Sequence, residues 1–156
     1  MRQNKLYSME QKIELHLASY KVLDISFKML KAVNKLDSEV LMGVSSSGKF
    51  FEEDSMYRVT LDFDISDKDE KIIDLKMLIQ GVYTYADAIN IEDKDTRVDV
   101  FKEAVYSLYP YARAAISSIT AAAGMSSVII PALDYRQMSD LLLKKTTDSD
   151  EPRIVV

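Results

Sequence analysis

The sequence predicts an α+β domain, with a four-stranded antiparallel sheet followed by three helices. Two observations predict it. Apolar residues alternate with period two up to residue 83, and from residue 98 onward they recur at helical spacing. Strands grouped first and helices grouped later favour an antiparallel meander over βαβ units. A polar segment over 1–12 precedes the single domain over 13–145, and 146–156 form a polar, acidic tail expected to fray.

The first strand, 13–27, alternates around Ile13, Leu15 and Leu17 and again around Leu23, Ile25 and Phe27. Ser19 and Lys21 interrupt that pattern, which predicts a bend or a bulge. A short second strand covers 38–44. The third, 56–65, is the clearest: Tyr57, Val59, Leu61, Phe63 and Ile65 share one face, with Arg58, Thr60, Asp62 and Asp64 on the other. After a polar turn at 66–69, the fourth strand, 71–83, places Ile73, Leu75, Met77 and Ile79 on one side.

The helical stretch begins with Val98, Phe101, Val105 and Leu108, with Asp95 or Thr96 as the cap. Proline lacks the N–H that a helix interior needs and is tolerated in the first turn, so Pro110 is expected to end one helix and start another. That second helix runs through Ala115, Ile116, Ile119 and Ala122 to Gly124, a favoured C-terminal cap residue. Residues 128–131 read as extended. Asp134 then caps a third helix bearing Met138, Leu141 and Leu142.

Composition narrows the function. A chain of 156 residues that is 47% hydrophobic and 29% charged is an ordinary globular protein. A net charge of −5 argues against phosphate-driven nucleic-acid binding. The absence of cysteine removes disulfides and thiolate zinc sites and suits a reducing compartment. The polar start has no apolar core of a signal peptide, and no window approaches the ~18 apolar residues of a membrane span. A cytoplasmic protein with no membrane insertion is the expectation. Eight methionines and nine tyrosines without a tryptophan fit a surface that adapts to several partners.

No motif supports catalysis, a metal or a cofactor. Residues 43–49, Gly-Val-Ser-Ser-Ser-Gly-Lys, imitate a phosphate-binding loop, but Phe50 stands where a hydroxyl must hold Mg²⁺. An acidic pair and a strand follow, where the loop requires a helix N-terminus, so a Gly/Ser-rich connection between strands is the better reading. His16 is the only histidine, which makes a triad or a His-rich metal site improbable and a structural or surface role the better reading. Acidic runs at 52–54, 67–70 and 148–151 lie in turns or the tail and lack the spacing of a calcium loop. Apolar stripes at 27–36 and along the third helix admit two readings, core packing or an exposed groove for peptide segments.

Several short motifs, taken in order, resemble the SecB family of chaperones. They are Asp24-Ile25-Ser26-Phe27, Glu39-Val40, Gln80-Gly81-Val82-Tyr83 and Tyr109-Pro110-Tyr111-Ala112-Arg113. The family counterparts are Asp-Ile-Ser-Phe, Pro-Glu-Val, Gln-Gly-Gly-Ile-Phe and Phe-Pro-Tyr-Ala-Arg; the proline is Ser38 here and one glycine is absent. The resemblance covers about residues 20–143. It implies an ATP-independent holdase assembled as a dimer of dimers, with non-native polypeptides as clients, either preproteins for export or the antitoxin of a toxin–antitoxin pair. It places client binding at Phe27, Met29, Leu30, Val33, Leu36, Met138, Leu141 and Leu142.

The resemblance also implies an acidic docking patch for the export motor SecA, at Asp24, Lys28, Asp74 and Lys76. Lysines at 28 and 76 stand where export members carry acids, which implies a weak SecA interaction and tilts the reading toward the antitoxin role. The alternative is a structural or adaptor protein that keeps the fold and has lost general client binding.

Overall fold

The computed structural model describes residues 13–36, 38–69, 72–134, 136–137 and 153–155. Four long antiparallel strands, β1 (Leu15–Met29), β2 (Val40–Phe51), β3 (Met56–Asp67) and β4 (Ile73–Tyr85), precede one long helix, α1 (Lys94–Ala122). A three-residue strand, β5 (Arg153–Val155), completes a sheet ordered β1-β4-β3-β2-β5. The expected four-stranded antiparallel sheet is present, but not as the expected meander: β1 lies beside β4, so only β2, β3 and β4 follow one another in space as they do in sequence. Strand β5 is added at the opposite edge by a segment expected to fray.

Cross-strand pairing fixes which residues share a face. On β3 and β4 the rows Leu61–Ile79, Phe63–Met77 and Ile65–Leu75 point to one side, and all six side chains are buried. Arg58, Thr60, Asp62 and Asp64 face the other way. Strand β1 is longer than its partner and carries two register shifts, between Leu17 and Ser19 and between Val22 and Asp24. Those are the bulges that the interrupted alternation predicted. Each inserts one residue, so Tyr20 and Val22 join the inner rows between Leu17 on one side and Ile25 on the other. Leu23, expected on the face of Ile25 and Phe27, is instead the inserted residue of the second bulge.

The helix corrects the sequence reading. Pro110 lies inside α1 and does not divide it. Val100, Ala104, Val105, Leu108, Tyr109, Ala112, Ile116 and Thr120 are buried in one unbroken stripe at spacings of three and four, while Pro110 is exposed. A proline in a helix interior costs about 3 kcal/mol. Burying Tyr109, Ala112 and Ile116 in register with the turns before them outweighs that. Asp93, and not Asp95 or Thr96, is the cap: its carboxylate accepts the Thr96 N–H at 3.1 Å and the Thr96 hydroxyl at 2.8 Å. The helix ends near Gly124, whose φ of +86° suits glycine. The third expected helix lies largely outside the described residues.

Strand β2 is also longer than expected. It continues through 43–49, so the Gly/Ser-rich stretch is strand and not a connection. The β3–β4 turn is closed by Asp67, 1% exposed, whose Oδ1 accepts the N–H groups of Ile72 and Ile73 at 2.9 and 3.0 Å.

A buried tyrosine ties the two layers together. The Tyr83 hydroxyl donates to the Ala104 carbonyl at 3.0 Å and accepts from the Ser107 hydroxyl at 2.8 Å, joining β4 to α1. Burial pushes Tyr83 and Tyr109 up to about 12 and raises Tyr57 as well. In the unfolded chain these phenols ionise near their ordinary value of 10.0. Above that pH the unfolded state binds fewer protons than the native one, so stability falls as pH rises. We expect urea midpoints to be insensitive to this group up to pH 10 and to drop between pH 10 and 12. Tyr83→Phe should lessen the drop.

Candidate functional site

The segment Tyr109-Pro110-Tyr111-Ala112-Arg113 organises one end of the inner face. Tyr109 and Arg113, one helical turn apart, reach the same extended stretch. The Tyr109 hydroxyl donates to the Pro131 carbonyl at 2.7 Å, and Arg113 Nε donates to the Ile130 carbonyl at 2.9 Å. Thr120 adds a third tie by accepting the Val128 N–H at 2.8 Å. Together they hold residues 128–131 on the helix, with Val128 and Ile130 buried and Ile129 left 67% exposed. Gly81 leaves room for the helix, because a Cβ there would meet a Leu108 methyl at 3.1 Å.

Tyr111 faces away from that stretch and packs on Tyr20 of β1, ring centroids 4.5 Å apart. Around this pair the middle of β1, residues 18–24, is exposed throughout. Val22 and Leu23 lie in that run, and Tyr106 adds a further exposed ring on α1. The result is an open apolar surface along a strand edge. Sequence reasoning missed it. The available signal was the tyrosine count, together with an alternation that failed between Ser19 and Lys21.

The residues assigned to client binding separate into groups. Phe27 and Met29 lie on the inner face opposite Leu75 and Ile73, half-buried against the core, and Leu36 packs there too. Leu30 is 55% exposed and Val33 is half-buried, on an irregular segment that follows β1. The Ser126 N–H donates to the Asn34 carbonyl at 2.8 Å and brings that segment beside the chain leaving α1. Met138, Leu141 and Leu142 lie outside the described residues.

The four residues of the docking patch do share the outer face of the sheet. Lys28 sits directly opposite Asp74, Asp24 opposite Leu78, and Lys76 lies between Ser26 and Asp64. Acids and lysines therefore alternate across the strands, where an acidic patch would need one sign. His16 is exposed opposite Thr84, outside both surfaces. In the phosphate-loop imitation, Gly48 serves packing: a Cβ there would land on the Tyr57 ring, which lies across it and stacks on Phe50 at 4.5 Å.

A four-stranded antiparallel sheet ordered β1-β4-β3-β2, its inner face covered by one long helix, is a specific arrangement, and the sequence comparison agrees with it. The family described as "Preprotein translocase subunit SecB" matches residues 8–144. The chain belongs to the SecB family. No curated protein sequence matches it. Among solved structures, it is similar to the SecB-like chaperone Rv1957 of Mycobacterium tuberculosis, solved in complex with a ChAD peptide from the Rv1956 HigA1 antitoxin. The TM-score is 0.64 at 10% identity, over 77% of this chain and 88% of that one. A protein of unknown function from Streptococcus agalactiae is similar with a TM-score of 0.43 at 8% identity, over 76% of this chain and 98% of that one. The SecB fold is thus established, and the motif residues 109–113 acquire a structural role within it.

Proposed function

We propose that this SecB-family chain is an ATP-independent holdase of the cytoplasm that captures unfolded polypeptide, with an aggregation-prone antitoxin as its preferred client. The observation that carries the reading is apolar surface left open on a well-packed scaffold. Leu30 and Ile129 are exposed on two irregular segments that meet, while the core beneath them is closed. A holdase needs accessible apolar area and adaptable side chains, and it needs no reacting group. Met138, Leu141 and Leu142 complete the proposed client surface, with Phe27, Met29, Val33 and Leu36 as its half-buried floor. The exposed run 18–24 of β1 with Tyr106 and Tyr111 is the surface we assign to a second copy, on the way to a dimer of dimers.

The antitoxin reading over export rests on the outer face. Lys28 and Lys76 interleave with Asp24, Asp64 and Asp74, so a partner steered by negative charge meets both signs. The antitoxin peptide bound by the M. tuberculosis SecB-like chaperone is in keeping with it.

Burying one aliphatic side chain in a complex stabilises it by about 1.5–3 kcal/mol. Leu30→Asp is therefore expected to weaken binding of an unfolded test protein about tenfold or more, read by fluorescence anisotropy, with the sedimentation coefficient unchanged. Tyr20→Ser with Leu23→Ser should do the reverse and dissociate the assembly. Loss of the assembly on Leu30→Asp would return that residue to the core. A chain that holds no unfolded protein would favour an adaptor role.

The second test concerns the partner. Lys28→Glu with Lys76→Glu should strengthen binding to the SecA motor, most at low salt, where exposed charges are least screened. Client affinity should barely change. Tight SecA binding by the unaltered chain would favour preprotein delivery.

A further inference from the structure

One edge of the long-stranded sheet is β2, and the chain covers part of it with its own tail. Strand β5 pairs antiparallel with it through Val155–Leu41, Ile154–Met42 and Arg153–Gly43. Beyond Gly43, β2 continues to Phe51 with no second neighbour among the described residues. Three rungs thus occupy the start of a much longer open edge, and an open edge is a template for another extended segment.

The register sets the chemistry of that site. Position 153, Gly43, Asp64 and Lys76 lie in one cross-strand row on the outer face. The next outer-face residue of β2 is Ser45, opposite Asp62. Gly43, Ser45, Asp62, Asp64 and Lys76 line a depression there. A glycine and a serine put almost nothing between the edge and the two carboxylates. Asp62 and Asp64 are exposed, and neither makes an ion pair within 4 Å among the described residues, where the only such pair joins Lys68 and Glu39. A residue added opposite Gly43 stands two strand spacings, about 10 Å, from Asp64, within reach of a long basic side chain. The row of Met42 and Ile65, the next along this edge, is buried on both strands, so an aliphatic residue suits a segment added there.

We propose that the β2 edge at Gly43 is a strand-addition site for an extended client segment with a basic residue followed by β-branched aliphatics, and that Arg153–Val155 is the resident strand this segment displaces. The proposal rests on the holdase reading for its client and on the sheet register for its site. A resident strand closed nine-tenths of the time lowers apparent client affinity about tenfold, since only the open fraction binds.

The test compares the full chain with one ending at residue 149, using a labelled peptide of residues 150–156 as the probe. The peptide should bind the shortened chain and not the full one, and should slow amide exchange at 41–43. Changing Arg153→Glu in the peptide, or Asp62→Asn with Asp64→Asn in the chain, should abolish binding. Ile154→Pro in the full chain removes a ladder N–H without truncation and should open the edge in the same way. Both opened forms should then bind reduced, unfolded α-lactalbumin about tenfold more tightly than the full chain. Equal peptide binding by full and shortened chains would overturn the resident strand. So would a shortened chain of smaller oligomeric mass, which would mean that the tail comes from a second copy. Unchanged client affinity in the opened forms would overturn displacement. If the peptide binds the shortened chain but no form holds α-lactalbumin, the holdase reading fails while the strand site stands.

Discussion

The constraint on which this structure depends is the continuous apolar stripe of α1 lying across the inner face of the sheet. Eight buried helix residues lie over rows contributed by β1, β3 and β4, and Met125, Val128 and Ile130 of the stretch after the helix complete the core. A two-layer domain hides one face of its sheet only by covering it with the other layer. Its strength is visible where local chemistry opposes it. The helix retains a proline in its interior because a break at that point would rotate Tyr109, Ala112 and Ile116 out of line with Val100, Ala104 and Val105. The loss of three buried side chains, at about 1.5–3 kcal/mol for each large one, exceeds the local cost of the proline.

From that contact the two faces acquire different work. The inner face is saturated under the helix and unsatisfied only at its margins, where β1 outruns the helix and where the chain leaves α1. The outer face is largely cross-strand charge, with Leu78 and Val82 half-buried among polar neighbours. Binding surfaces at the margins of a saturated core can be loose without loosening the fold, because the residues that close the core are not those that meet a partner.

The sheet was legible in the sequence because its signal is local: β3 alternates without exception, and the two faces can be read from its letters. The bulges in β1 were legible for the same reason, as a break in alternation around Ser19 and Lys21. Strand β2 was not. Its inner face carries Gly48, where a Cβ would land on the Tyr57 ring, and with Ser46 that residue interrupts the apolar alternation that Val40, Met42 and Val44 begin. The helix was divided wrongly because proline was weighed by its own propensity, while the stripe on both sides of it was the stronger evidence. The role of residues 109–113 was invisible for a different cause: Tyr109 and Arg113 bond carbonyls some twenty residues away, a distance that no window on the sequence spans. Leu30 lies in an apolar stripe that the letters show and is exposed in the fold, whereas the β1 surface depends on parity restored by two insertions.

Those two insertions have a consequence for solubility. A long exposed strand edge is a seed for endless pairing, and a protein that keeps company with unfolded chains is more exposed to that hazard than most. Ala18 and Leu23 have no partners on β4, and each bends the strand and twists its edge out of plane. Between them only four residues, 19–22, keep register. A neighbour can add a short ribbon there and then loses registry at both ends. Each insertion thus limits how far a second strand could extend the sheet along this edge.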